Sequence, residues 1–326
     1  MAVLSEEQTM LRDMAREWTT NESPVTAFRK FRDLAPACGY DANAFKTMAE
    51  MGWAGIVIPE KFGGSDFGWL SLGLVIEETA KTLTASPLAS SALAASALVL
   101  GGSDGAKAAW LPKLASGEAV GTLAIDEGPR HYPTAIATTA TKAGDGWTLN
   151  GTKAFVHEAH GAALFIVAAQ TEGGIGVFAV PADAAGLSLA TRKLTDSRSH
   201  AHVTLANVKV GADAYLGGSD LLDRLLDRAR IVTAAEMLGL AEHSFGVTLD
   251  YLKQRVQFGQ ILATFQALQH RMAELFTRIE LMRTDVEAAL AALDSSTDVP
   301  AMASLAKATA NDTLHLVSRE AIQLHG

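Results

Sequence analysis

At 326 residues, 48% of them apolar and 19% charged, the chain can bury a large core and is long enough for two or three domains. Its 36 acidic side chains against 27 basic ones exclude nucleic acid and an anionic membrane surface as natural partners. Cys38 is the only cysteine, which excludes an internal disulfide and suits a reducing, cytoplasmic setting. Residues 1–8 carry acid and amide groups without the apolar core of a signal peptide. The apolar run 88–100 is interrupted by serines and too short to span a bilayer, so no membrane insertion is expected.

Residues 1–118 are rich in Ala and Leu at helical spacing. Residues 42–51 and 70–83 read as helices, separated by the turn Phe62-Gly63-Gly64-Ser65. Trp53 and Ile58 between them read as core. From 119 to 218 the pattern changes to short strands. Gly144-Asp145-Gly146 leads into Trp147–Leu149, then Asn150-Gly151, then Thr152–Val156, and the Asn-Gly pair predicts a hairpin turn there. Runs 164–169 and 175–180 make a strand pair around Glu172-Gly173-Gly174, and 203–210 adds another strand. Antiparallel strands without intervening helices predict a small β domain.

Residues 219–326 return to helical spacing. Ser219 reads as an N-cap with Asp220 behind it. Leu222, Leu225, Leu226, Ala229, Val232, Ala235 and Leu238 mark one buried face. A second helix is predicted over 265–293 and a third from Pro300 to Leu324. These three predict an up-down bundle that lacks a fourth helix and so carries an open apolar groove. The fold class is mainly α with a central β domain: a helical domain, a small antiparallel β domain and an incomplete helical bundle.

Between the first two of these helices lies Arg255-Val256-Gln257-Phe258-Gly259-Gln260, followed by Thr264-Phe265-Gln266-Ala267-Leu268-Gln269-His270. It gathers a guanidinium, amides and two aromatic rings at one corner, a set suited to a ligand with phosphates and flat rings. The stretch resembles the Arg-x-x-Phe-Gly and Phe-Gln-x-x-x-His signature of acyl-CoA dehydrogenases, and the helical, β, helical order agrees along the whole chain. The terminal Gln323-Leu324-His325-Gly326 resembles the start of that family's Gln-x-x-Gly-Gly motif.

The resemblance implies FAD as cofactor, held through Arg255, Gln257, Phe258 and Gln266, with Gln323 and Gly326 reaching the FAD of a neighbouring subunit. Two β-domain segments would face the flavin ring. One is Ala124-Ile125-Asp126-Glu127, where Asp126 replaces the family's usual Thr. The other is Lys153-Ala154-Phe155-Val156-His157, where Phe155 would cover a flavin face and His157 would donate in place of a hydroxyl. The implied reaction is α,β-dehydrogenation of an acyl-CoA to a trans-2-enoyl-CoA, with electrons passed to an electron-transfer flavoprotein and FAD sites shared in a homo- or hetero-oligomer. Asp227 and Arg230 would contact the CoA end. The usual catalytic glutamate is expected beyond Gly326 or just before Arg230, where Ala229 stands. Neither position supplies a carboxylate, so a catalytically silent FAD- or acyl-CoA-binding subunit, or a non-catalytic scaffold, is the alternative. The 326-residue chain alone is expected to be inactive and poorly soluble.

Three look-alikes are set aside. Gly101-Gly102-Ser103-Asp104-Gly105 fits a nucleophile elbow but does not follow a strand. Gly174–Ala179 mimics a dinucleotide fingerprint but opens a strand. His157-Glu158-Ala159-His160 makes a poor zinc set, and His200 and His202, on one face of a strand, could hold a metal but read as two surface histidines.

Overall fold

The computed structural model describes residues 3–326. Six helices come first: α1 (Glu6–Asn21), α2 (Val25–Leu34), α3 (Ala42–Glu50), α4 (Gly68–Lys81), α5 (Leu88–Gly101) and α6 (Asp104–Ala115). Eight strands follow: β1 (Gly121–Ala124), β2 (Thr139–Ala143), β3 (Gly146–His157), β4 (Leu164–Thr171), β5 (Gly174–Pro181), β6 (Leu187–Lys193), β7 (Ser199–Val210) and β8 (Tyr215–Gly217). The chain ends with α7 (Ser219–Gln254), the small pair β9 (Val256–Gln257) and β10 (Gln260–Ile261), then α8 (Gln266–Ser295) and α9 (Val299–His325). This is the mainly helical architecture with a central sheet expected from the sequence. No helix among the described residues is long and apolar enough to cross a membrane.

The chain forms two compact units, each drawn from separated stretches. One takes the residues up to Val25, Trp69–Thr84 and Asp227–Gly326; the other takes Thr26–Gly68 and Ala85–Leu226.

The second unit is built on the sheet, in the order β6-β7-β3-β2-β4-β5-β8, with β1 alongside β4. Most neighbours are antiparallel, but β1–β4 and β2–β4 are parallel. One face of the sheet buries Phe165, Val167, Phe178, Val180, Val203 and Val208. The other packs Leu164, Ile166 and Val177 against α5 and α6 through Ala94, Leu98, Leu111 and Leu114. Each of these large apolar side chains contributes roughly 1.5–3 kcal/mol on burial. Trp53 and Ile58 are core residues of this unit, as expected.

The predicted Asn150-Gly151 hairpin is not a turn. Both residues lie inside β3, where a register shift against β7 forms a bulge. The reversal falls earlier, at Gly144-Asp145 between the Ala143 and Gly146 partners, with Gly144 at φ 61°. Asn150 instead accepts a hydrogen bond from the Asn207 N–H on Oδ1. Gly151 passes so close to Thr138 that a Cβ would overlap it. The pair bends the strand rather than ending it.

In the first unit, α4 packs against α7 and α8. Gly239 of α7 approaches the Glu77 carbonyl and Gly73 of α4 approaches Leu290, so neither position has room for a Cβ. Asp294 accepts hydrogen bonds from the Trp69 and Leu70 N–H groups, at 2.6 and 3.1 Å, and so caps α4 from α8. A buried ionic network joins the helices. Arg283 forks onto Glu77 at 3.1 Å and also meets Glu242 and Glu287. Lys81 reaches Glu77, Glu78 and Glu242, and Arg16 of α1 shares Glu78 Oε1 with it.

Candidate functional site

The Arg255 corner belongs to the first unit. α7 ends at Gln254, and the chain reverses through β9 and β10 with Gln257 paired to Gln260 and Val256 to Ile261. The two residues between them, Phe258 and Gly259, have φ of 55° and 80°. That is the geometry of a tight two-residue hairpin, which Gly accepts freely and Phe does not. Phe258 is 88% exposed and meets Phe265 edge to face at 6.3 Å. A strained, exposed aromatic at a tight turn is the kind of residue found where a ligand binds.

Arg255 is exposed and forms no ion pair within the described residues. Gln257 and Gln266 are exposed too. Gln266 opens α8, a 30-residue helix with no side-chain cap and no acid in its first turn, which leaves its positive end open to an anion. Gln323 and Gly326 lie at the end of α9, and that end is tied to the same corner. His325 stacks on Tyr251, four residues before Arg255, with ring centroids 4.4 Å apart. Arg271 of α8 pairs with Glu320 of α9. Thus Arg255, Gln257, Phe258, Gln266, Gln323 and Gly326 gather at one end of this unit.

Asp227, Ala229 and Arg230 lie on α7. Asp227 is buried and accepts from Arg230 Nη1 at 2.7 Å, so each partly neutralises the other. Arg228 beside them is buried, with its guanidinium over the Trp69 ring at 5.6 Å. Ala229, half-buried on the same helix, carries no carboxylate.

The β-domain set lies in the second unit, and the structure brings it together. Asp126 O accepts from the Ala154 N–H at 2.7 Å, laying the segment after β1 along β3. A second bulge falls between Lys153 and Val156, where Ala154 and Phe155 share one position opposite β7. Phe155 takes φ 51° there. The extra residue resets the alternation: Lys153 and Val156 both point inward, while Phe155 and His157 reach the open face. Phe155 packs edge to face on His202 at 5.0 Å. Asp126 does not present a free carboxylate. It accepts from the Tyr132 N–H at 3.0 Å and lies 2.8 Å from His131 Nδ1.

Sequence reasoning passed over Lys153. Its ammonium is fully buried and donates to Glu127 Oε1 at 2.6 Å and to the Ile125 carbonyl at 3.0 Å. Glu127 also accepts from the N–H groups of Ala137 and Thr138. Burial pulls the Lys153 ammonium below its ordinary value, against the attraction of Glu127. The signal was present in the sequence as a lysine inside an apolar strand, a position that requires a carboxylate partner.

The look-alike motifs have local roles. Ser103 is the N-cap of α6 and accepts from the Ala106 N–H. His160 bonds Thr191, and both ring nitrogens of His202 lie 3.3 Å from the Arg192 guanidinium.

Comparison with known proteins decides the family. Three family models cover most of the chain: "Acyl-CoA dehydrogenase, N-terminal domain" over residues 5–118, "middle domain" over 126–208 and "C-terminal domain" over 217–326. The "Probable acyl-CoA dehydrogenase YngJ" of Bacillus subtilis (strain 168) is 32% identical, across 99% of this chain and 88% of that protein. The chain belongs to the acyl-CoA dehydrogenase family.

Solved structures agree with that membership. The butyryl-CoA dehydrogenase from Megasphaera elsdenii is 27% identical with a TM-score of 0.92, over 100% of this chain and 89% of that one. A structure described as the electron transferring flavoprotein of Acidaminococcus fermentans contains a chain 28% identical, also at 0.92, over 100% and 89%. This acyl-CoA dehydrogenase family member is accordingly an oxidoreductase by descent.

Proposed function

We propose that this chain binds FAD at the Arg255 corner and forms part of a dehydrogenase that converts an acyl-CoA to a trans-2-enoyl-CoA, passing electrons to an electron-transfer flavoprotein. The observation that carries the reading is Arg255 itself: an exposed guanidinium without a carboxylate partner among the described residues, beside the uncapped start of α8 and the strained Phe258 turn. This donor set fits a diphosphate joined to flat rings. Arg255 forks onto the phosphates, Gln257 and Gln266 add amide donors, and Phe258 offers a ring face to the adenine. Gln323 and Gly326 serve the FAD of a neighbouring subunit, and Asp227 with Arg230 contacts the CoA end.

On the β domain, Ile125 and Asp126 line the flavin ring, Phe155 covers one face and His157 donates to its edge. Lys153 keeps these two segments in register. FAD, when bound, supplies the hydride acceptor for the β-carbon of the substrate.

Ala229 favours a second reading, in which the chain is the catalytically silent partner of a hetero-oligomeric enzyme. One experiment separates the readings. The purified chain is reconstituted with FAD and mixed anaerobically with a panel of acyl-CoAs. Flavin bleaching with enoyl-CoA formation supports the dehydrogenase. A bound flavin that never bleaches supports the silent subunit, and absence of bound flavin contradicts both.

A further inference from the structure

His157 and His200 are cross-strand partners in the β3–β7 register. Their rings meet at 67°, with centroids 4.4 Å apart. His200 is buried, and its Nε2 lies 2.9 Å from Asp196 Oδ2. Burial works to raise the Asp196 carboxyl, but hydrogen bonds from the His200 ring and the Arg198 N–H outweigh it and hold that carboxyl below its ordinary value. A carboxylate only accepts, so the proton in this contact belongs to His200 Nε2. The other nitrogen, Nδ1, is buried and has no hydrogen-bond partner among the described residues. Protonating it would bury a charged donor without an acceptor.

His157 is the outward ring of the pair. Neither of its nitrogens has a hydrogen-bond partner among the described residues. The charged and titratable groups that face it are His200 on β7 and Asp196 and Arg198 just before that strand. Crowding by protein, then the neighbouring Arg198 guanidinium, push its imidazole down to about 4, against the pull of Asp196. His157 is therefore neutral at pH 7, able to donate from one nitrogen and accept at the other.

We propose that Asp196 and His200 are positioning residues for His157: the buried couple fixes one tautomer of His200, whose ring holds His157 with an N–H directed at the flavin edge. This rests on the reading that places His157 at the flavin, and the arms of the test separate the two.

Nitrogen-15 histidine NMR of the full apo chain reads the tautomers. His200 is expected protonated on Nε2, with His157 neutral at pH 7. In Asp196→Asn the amide can turn either end to the ring, so His200 populates both tautomers and the His157 signals move with it. With FAD saturating, His157→Ala is expected to shift the bound-flavin absorbance bands. Asp196→Asn and His200→Phe should shift them in the same direction, the latter keeping an aromatic ring without its nitrogens. Should Asp196→Asn fail to fold, His200→Phe carries the comparison. A wild-type His200 protonated on Nδ1 overturns the proposal. So does a flavin spectrum that responds to His157→Ala alone. A spectrum indifferent to all three variants, with FAD bound, overturns the placement of His157 and the proposal with it. Failure of the wild-type chain to bind FAD overturns the cofactor reading beneath both.

Discussion

Lys153 holds its ammonium wholly out of water, 2.6 Å from Glu127 Oε1. The two residues lie on segments 26 positions apart, and their contact fixes the 124–127 strip against β3. Breaking a buried pair by removing one partner costs roughly 3–5 kcal/mol, because the remaining charge loses its compensation. Lys153→Met is therefore expected to destabilise the fold by about 3 kcal/mol, read by urea unfolding. An unchanged midpoint would mean that the pair is dispensable.

The same pair sets a pH dependence. Burial works to raise the Glu127 carboxyl, but hydrogen bonds from Lys153, Thr138 and Ala137 prevail and hold it below its ordinary value. A carboxyl lowered in the folded state contributes stability above its unfolded pKa. That contribution is lost as pH falls through the folded value. Lys153→Met lacks the largest of those bonds, so the stability gap between it and the wild type should narrow as pH falls through the folded Glu127 value. Urea unfolding of both proteins across pH 6 to 2 checks this; a gap that stays constant or widens would count against it.

Arg283 is the hub of the network in the helical unit, where it meets Glu77, Glu242 and Glu287. Arg283→Met leaves Glu77 and Glu242 to Lys81 and removes the contact to Glu287, and is expected to cost roughly 3–5 kcal/mol. Adding Glu77→Gln removes one stranded charge and should recover part of that loss. The double-mutant cycle is the measurement. Strictly additive losses would show that the two side chains do not interact.

Phe258 sits at φ 55°, a conformation costing a bulky residue about 1–2 kcal/mol. Phe258→Gly relieves it, against an unfolded-state entropy term of similar size. The apo chain should therefore be no less stable, while FAD binding weakens because a ring face is lost. A fall in apo stability together with unchanged FAD affinity would identify Phe258 as a structural residue.

The sequence carried the long helices and the Arg255 turn well, because both signals are local. Apolar spacing marks α7, α8 and α9, and Phe258-Gly259 falls where the hairpin reverses. What it hid depends on partners far along the chain. Asn150-Gly151 has the chemistry of a turn, yet pairing with β7 and the approach of Thr138 hold it inside β3. Nor does local spacing reveal that α4, far earlier in the chain, packs on α7 and α8 through Glu77 and Gly73. Lys153 and Glu127 each look ordinary, and only the fold makes them a buried pair. His200 was read as a surface histidine or metal ligand, whereas it is buried against Asp196.

The central claim is that Arg255 holds the diphosphate of FAD. Fluorescence titration of FAD into the apo chain tests it most directly, with wild type and Arg255→Ala compared under identical salt. Each charge-assisted hydrogen bond lost is worth roughly 1.5–3 kcal/mol, so the variant should bind about tenfold more weakly or worse. Its circular dichroism should stay unchanged, since Arg255 is exposed and forms no ion pair within the described residues. Equal affinity of the two proteins for FAD would contradict the account.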